Sequence, residues 1–551
     1  MTDLFKKGLD LLLKRQTNIL SAAFVIMSTV ILSQVLGLIR QPLLVSIFGP
    51  TNDLGVYYAA STLPNFLFQV VIAVAISSAF IPVFAEYIAN NQKKEADHVA
   101  SSLLTIGLSF FALFSIVLAI FAPFFLQILN LGSGFSPDQM GLMVNLMRIL
   151  LIAQLFFILG MFFTAVLQTY NHFLVPGIAA ALYNLGIILG ILTLTKYGMY
   201  APTIGNVIGA LFFVAMQIPM LLKVGFHFKI NFDFRQPGVR KVFSLMWPRS
   251  LANIVFNISS VLTVSLISFL PMAGRNYVIF DLAQTLAFAP IMLFGQSIAQ
   301  AAFPILARER NNMEEFRSTF MTSFNQMLYL VLPISVLLLV LRIPLVRLVY
   351  GGSLLFDWNA TVLTGRTLMF FSFCIFSESL KALIARGFYA LHNTKILLIV
   401  GSLSTLLMLG LSAFFIIIEK QGVISIAMSY AIASVIELTI LFIILDIKVG
   451  GFNKQLLVSS WTKIFIASFF TAFALYIPIK LLDQLVFDTT KTVNLILLTG
   501  ISSVIGASIY LFLTWLLNVK EAMTYVLMFK RLGNWREVMS KQPEVIEGTK
   551  F

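Results

Sequence analysis

Residues 33–49 read SQVLGLIRQPLLVSIFG. The stretch is apolar on both sides, yet it carries Gln34, Arg40 and Gln41. It belongs to an apolar run from about residue 17 to 48, and roughly 20 such residues suffice to cross a bilayer as a helix. An arginine near the middle of a membrane helix costs about 2.5–3.5 kcal/mol on insertion scales. Function is the reading that best accounts for that cost.

The rest of the chain is of the same kind. Of its 551 residues, 59% are hydrophobic and only 11% charged. Repeated apolar runs of this length make it an all-α, polytopic membrane protein. The single cysteine, Cys374, excludes a disulfide within the chain, and no metal motif is present. The four histidines lie far apart and no Walker-type phosphate loop occurs. No cofactor is expected. The net charge of +14 raises nucleic acid as a partner. In a membrane protein, basic loops that set topology and meet anionic lipid are the better account.

Hydropathy gives about fourteen spans. Six lie near 17–48, 56–88, 99–130, 140–170, 174–195 and 200–222. Six more lie near 240–270, 276–306, 318–350, 360–390, 394–418 and 422–447, and a final pair near 460–482 and 492–518. Basic clusters follow the even-numbered spans, for example Lys93 and Lys94, Lys223 to Lys241, and Arg308 to Arg317. The positive-inside rule therefore predicts both termini in the cytoplasm. Residues 1–16, with Lys6, Lys7, Lys14 and Arg15, read as a retained cytoplasmic segment. The 519–551 tail reads either as an interfacial amphipathic helix or as a plain cytoplasmic tail.

An internal repeat sits near an offset of 222 residues. SSAFIPVFAEY at 77–87 matches AQAAFPILARE at 299–309, and QTYNHFLV at 168–175 matches YALHNTKI at 389–396. An even number of spans per copy gives both copies the same membrane orientation. The pattern predicts two pseudo-symmetric six-helix lobes around a central cavity, 17–222 and 240–450, joined by a cytoplasmic linker at 223–239. Residues 456–518 add two further helices.

Polar residues inside the spans are the candidates for a site. Gln34, Gln69, Asn253 and Gln284, with Gln154, Asn184, Asn206 and Gln217, are individually more often interhelical glue than ligand contacts. Together they suit a hydrated cavity for a hydroxyl- and amide-rich substrate. Among charged residues, Glu378 and Lys381 are three apart and read as a local ion pair. Arg249 either faces the cleft or reaches the inner interface. Arg40 lies more than twenty residues into its span, where a cleft-facing cation for an anionic substrate is the sharper reading and outward snorkelling the competing one. Glu378 is almost the only acidic residue that this reading places within the spans.

VLGLIRQPLLVSIFG, LPNFLFQ (63–69) and SSAFIPVFAEY resemble the first two helices of the MurJ/MviN lipid II flippase family. ARGFYALHNTK at 385–395 resembles that family's motif after its tenth helix. The resemblance implies a flippase that moves a polyprenyl-pyrophosphate-linked saccharide, lipid II being the first candidate, across the bacterial inner membrane by alternating access. It implies a lipid-tail groove at the final two helices, and no enzymatic activity. The wider reading is a monomer among membrane lipids, working with cell-wall synthesis proteins and without nucleic acid. Arg40 matches the family's first-helix arginine. The family's next aspartate is Gln41 here, its arginine pair is Phe68 and Gln69, an acidic position is Ala73, and an Asp-Arg pair falls on Gln284 and Thr285. The substrate-contact set expected from these readings is Arg40, Gln34, Gln41, Gln69, Arg249, Asn253 and Gln284. The alternatives are an exporter of another lipid-linked glycan and a non-transporting scaffold of envelope synthesis.

Overall fold

The computed structural model describes residues 19–70, 76–485, 488 and 491–522. The expected cytoplasmic segment at 1–16, Ala73, and the tail beyond Ala522 lie outside the described residues. Among those described, every regular element is a helix. Twelve helices are long and apolar enough to cross a membrane. The second and seventh spans expected from hydropathy are not among the twelve. The second corresponds to Asn52–Phe68 and Ile81–Ala89, on either side of the undescribed 71–75. The seventh corresponds to Pro237–Ile267, in which Asn257–Ile267 is a shorter apolar stretch.

The internal repeat has a structural counterpart in matched helix lengths. Lys93–Ile120 and Met313–Val340 each have 28 residues, Pro137–Thr169 and Trp358–Ala390 each have 33, and Leu174–Thr193 and Thr394–Ala413 each have 20. A five-residue π-helical turn precedes the short proline-bearing helix in both copies, at Ile76–Phe80 and at Ile291–Gly295. The following helices carry Pro82 and Pro304. A proline removes one backbone donor, and a wider turn is one way to accommodate that loss. The left-handed turn residue is Asn171 in the first copy and His392 in the second. Backbone equivalence thus runs one residue off the Asn171–Asn393 match read from sequence.

The chain divides into two compact units. One comprises residues 1–284, 346–367 and 401–433; the other comprises 285–345, 368–400 and 434–551. In the first unit, small residues bring helices together. A Cβ placed on Gly186 would lie 2.3 Å from the Gly209 Cα, and one on Gly190 would lie 2.4 Å from the Gly205 Cα. Backbones that close leave room for dispersion contacts that lipid cannot supply, the usual driving force for membrane helix pairs. The same holds where Asn52–Phe68 meets Ala273–Pro290: a Cβ on Gly55 would stand 2.1 Å from the Gly274 Cα. Around that contact, Asn52 Oδ1 accepts from the Arg275 backbone N–H at 3.0 Å. Arg275 Nη2 donates to both carboxylate oxygens of Asp357, at 2.7 and 2.9 Å. Gln139 Nε2 donates to Asp53 at 2.9 Å. Arg275 holds the Asp357 carboxyl below its ordinary range, chiefly through this side-chain hydrogen bond.

In the second unit, Lys454–Leu485 and Thr492–Leu516 pack on each other and on Met313–Val340. A Cβ on Gly506 would meet the Leu475 side chain at 2.3 Å, and the Tyr510 hydroxyl donates to the Tyr329 carbonyl at 2.8 Å.

Candidate substrate site in the first unit

Arg40 sits on the helix Ile19–Phe48, beyond Gly37 and just before Pro42. Its Nη1 donates to Asn184 Oδ1 at 3.2 Å, and its Nε is buried with no hydrogen-bond partner among the described residues. Asn184 is held for this contact: its Nδ2 donates to the Ser33 carbonyl and hydroxyl oxygens, each at 3.2 Å. Gly37 faces the same amide, its Cβ position 3.9 Å from Asn184 Oδ1. What approaches the Gly37 face is therefore a side chain rather than a second backbone. Arg40 is half-buried and bonded to Asn184 on the neighbouring helix.

The next residue, Gln41, is buried, and its Nε2 donates to Asp281 Oδ2 at 2.7 Å. Asp281 stands in the candidate span Ala273–Glu309. It is the acidic group that the sequence reading passed over when it left Glu378 almost alone in the spans. The signal was present: VIFDLAQ (278–284) places a carboxylate in an apolar run three residues before the expected Gln284. Alignment from Pro290 drew attention to Gln284 and Thr285 instead. The charge missing at position 41 is thus restored from another helix, next to the same arginine.

A ring of aromatic hydroxyls surrounds this polar group. Tyr183 Oη donates to Asn206 Oδ1 at 2.8 Å, and Asn206 Nδ2 donates to Tyr57 Oη at 2.8 Å. Tyr58 packs edge-on against Tyr277 with ring centroids 6.0 Å apart, and Tyr350 Oη donates to the Leu282 carbonyl at 3.2 Å. The arrangement offers a fixed guanidinium, a carboxylate bound to an amide, and hydroxyls that donate or accept. Such a set can hold an anionic group against Arg40 while hydroxyls and amides meet sugar-like polar groups.

The other expected contacts are placed less favourably. Gln34 and Gln69 are exposed. Gln284 is half-buried, one turn beyond Asp281. The side chains of Arg249 and Asn253 lie outside the described residues. Gln217 is structural glue: its Nε2 donates to the Gly160 and Phe213 carbonyls at 3.1 and 2.8 Å, and its Oε1 accepts from Thr164 at 3.0 Å.

The second unit carries a separate charged group. Lys381 Nζ lies 2.7 Å from Glu378 Oε1, the local pair expected, and 2.6 Å from Glu437 Oε2. Glu437, in the apolar stretch SVIELTILF (434–442), is a second carboxylate missed in the spans. Ser434 Oγ donates to Glu378 at 2.9 Å.

Long apolar helices with a buried, partly charged polar cluster define a multi-pass membrane transporter fold. The fold matches a solved structure titled "Lipid II flippase MurJ, inward closed conformation", with TM-score 0.73 and 24% identity over 89% of this chain and 98% of that one. It also matches an inward-facing multidrug resistance MATE family transporter of the MOP superfamily, with TM-score 0.63 and 14% identity over 78% of this chain and 98% of that one. In sequence, the family model described as lipid II flippase MurJ matches residues 44–513. The chain belongs to the MurJ family. A protein of Buchnera aphidicola subsp. Acyrthosiphon pisum named probable lipid II flippase MurJ is 26% identical over 435 residues, covering 77% of this chain and 83% of the relative. The lipid II flippase MurJ of Thermosipho africanus is 26% identical over 419 residues, covering 76% and 83%. The probable lipid II flippase MurJ of Haemophilus influenzae is 27% identical over 430 residues, covering 74% and 82%.

Proposed function

We propose that this chain is a flippase that carries a polyprenyl-pyrophosphate-linked saccharide, the peptidoglycan precursor lipid II, from the inner to the outer leaflet of the bacterial cytoplasmic membrane. Membership of the MurJ family carries the reading. Arg40, positioned by Asn184 and followed in sequence by the Gln41–Asp281 pair, supports it, because a pyrophosphate needs a positioned cation and a planar guanidinium binds it through two parallel hydrogen bonds. In this reading Arg40 meets the pyrophosphate, while Gln41, Gln34, Gln69, Asn253 and Gln284 meet the sugar and peptide, with Arg249 as a second cation. Residues 17–222 and 240–450 act as two lobes that alternate access, with both termini cytoplasmic and the two lobes linked through 223–239 on the cytoplasmic side. The final pair, 456–518, offers exposed apolar side chains such as Phe469, Phe473, Phe512 and Trp515 to the lipid tail. The protein acts as a monomer, alongside cell-wall synthesis proteins.

Rescue of a strain depleted of its own lipid II flippase tests the proposal directly. Growth at normal cell shape supports it. Altered surface glycan without rescue favours export of another lipid-linked glycan, a reading supported by the uncharged Gln41, Phe68, Gln69 and Gln284. Neither outcome, with envelope-synthesis proteins recovered on the purified chain, indicates a scaffold.

A further inference from the structure

The segment FHFKINFDF, residues 226–234, connects Ile218–Val224 to Pro237–Ile267. Its alternate backbone N–H groups are taken up by one face of the Lys93–Ile120 helix. The His227 N–H donates to Asp97 Oδ2 at 3.4 Å, the Lys229 N–H to Ser101 Oγ at 3.2 Å, and the Asn231 N–H to Thr105 Oγ1 at 3.3 Å. Asp97, Ser101 and Thr105 climb about 12 Å along their helix, a rise that four residues of extended chain match. The chain then doubles back: Asp233 reaches His98 at 3.1 Å, and Gln236 Nε2 donates to the Glu95 carbonyl at 3.5 Å. In water these N–H groups would need no such ladder. At membrane depth such groups need a partner within the protein, and the ladder supplies one to these three.

The outward side chains fit the same setting. Phe228, Ile230, Phe232 and Phe234 are 46%, 77%, 56% and 56% exposed, an apolar stripe that no element covers among the described residues. Stripes of this size mark protein or membrane contacts. Phe232 and Phe234 also wall a cavity of about 520 Å³ with Phe80, Phe110, Phe162 and Met246; among its lining residues, Ser109 alone is polar. That volume lies within the range of roughly 300–1,000 Å³ usual for small-molecule pockets. Exposed Lys229, Arg235 and Arg240 flank the wall residues in sequence, and Lys241 is paired with Glu86 at 2.6 Å. Of the acidic groups nearby, Asp233 meets His98 at 3.1 Å, Asp97 lies 3.8 Å from His227, and Glu95 is exposed. A basic fringe around an apolar slot suits an anionic headgroup over a hydrocarbon chain.

We propose that residues 226–234 form a re-entrant wedge in the inner leaflet and that the cavity they wall holds one acyl chain of an anionic phospholipid. The cavity shares no lining residue with the Arg40 cluster and does not depend on which substrate is moved. The test uses the full chain in vesicles of phosphatidylcholine and phosphatidylglycerol, with a tracer phosphatidylglycerol bearing a photoactivated group midway along one acyl chain. Illumination followed by peptide mass spectrometry should label residues 103–113 and 232–246. Phe232→Asp/Phe234→Asp should lower that label by about tenfold or more, since a charge against hydrocarbon is strongly disfavoured. Ser109→Trp, which fills the cavity without adding charge, should do the same if the aspartate variant fails to fold. Label on Leu403 and Leu406, exposed on another helix, should stay constant in both. Absence of label at the cavity while Leu403 is labelled overturns the wedge. Loss of the label on adding polyprenyl phosphate assigns the cavity to a carrier lipid and overturns the phospholipid. Equal labelling by a phosphatidylcholine tracer overturns the preference for an anionic headgroup.

Discussion

Breaking the hydrogen bond between Gln41 and Asp281 should cost more than a typical membrane contact. Interhelical hydrogen bonds within bilayers average about 0.6 kcal/mol, with an upper end near 1.7 kcal/mol. The Gln41–Asp281 bond has a carboxylate acceptor, a length of 2.7 Å and a buried donor. Those features place it near the top of the range, at about 1.5 kcal/mol, or slightly more than tenfold in an equilibrium. Gln41→Leu removes the donor at nearly constant volume, and Asp281→Ala removes the acceptor. Each single variant strands a buried polar partner, so each should cost about 1–3 kcal/mol. The double variant strands neither and should cost about 1.5 kcal/mol less than the sum. The assay is unfolding of the full chain in micelles of rising dodecyl sulfate content, followed by circular dichroism. Additivity within about 0.3–0.5 kcal/mol would show that the two side chains are not coupled and would refute the reasoning. Gln41 would then be free to serve the substrate alone.

Arg40→Ala should abolish rescue of a flippase-depleted strain at unchanged membrane levels, and Arg40→Lys should impair it substantially, since lysine lacks the planar fork; full rescue by Arg40→Ala would make the arginine an interfacial anchor. Lys381→Met should leave Glu378 and Glu437 without their cation, cost about 3–5 kcal/mol and lower the amount of inserted protein; adding Glu378→Gln and Glu437→Gln should restore it on membrane immunoblots. Asp357→Asn should cost at most about 1 kcal/mol, because the pair with Arg275 is half exposed. The Asp357 carboxyl is held below its ordinary range, so its contribution is present at neutral pH and fades as pH falls. Melting curves of the wild type and Asp357→Asn should therefore differ at neutral pH and begin to converge below about pH 4.

The spans were legible because hydropathy depends on composition over twenty residues, and single positions scarcely change it. The repeat was legible for the same reason, from Pro82 and Pro304 and from the turn after Thr169 and Ala390. Its register was not, since the left-handed residue is set by backbone geometry: His392 takes the role that identity assigned to Asn393. Arg40 stood out through its cost of burial. Its surroundings did not, because Asp281 lies 240 positions from Gln41 in the chain and only folding brings the two together. Glu437 went unseen for a like reason: the local pair of Glu378 and Lys381 looked complete by itself. The 226–234 segment read as a plain basic linker because its lysine and arginines were counted and its alternating phenylalanines were not.

The meeting of Gly55 with Gly274 has a mechanical consequence. At the glycines two bare backbones meet with no side chain to withdraw, and one turn further along the same helices Tyr58 and Tyr277 pack edge-on. Beside the glycines the Arg275 backbone N–H crosses the seam to Asn52 Oδ1, while the Arg275 fork on Asp357 and the Gln139 bond to Asp53 brace the helix on either side. The ionic brace on the Arg275 side is half exposed, and such pairs weaken as salt shortens the reach of charge. The stiffness of one wall of the seam is then set partly by the medium around it, a property the protein shares with its surroundings.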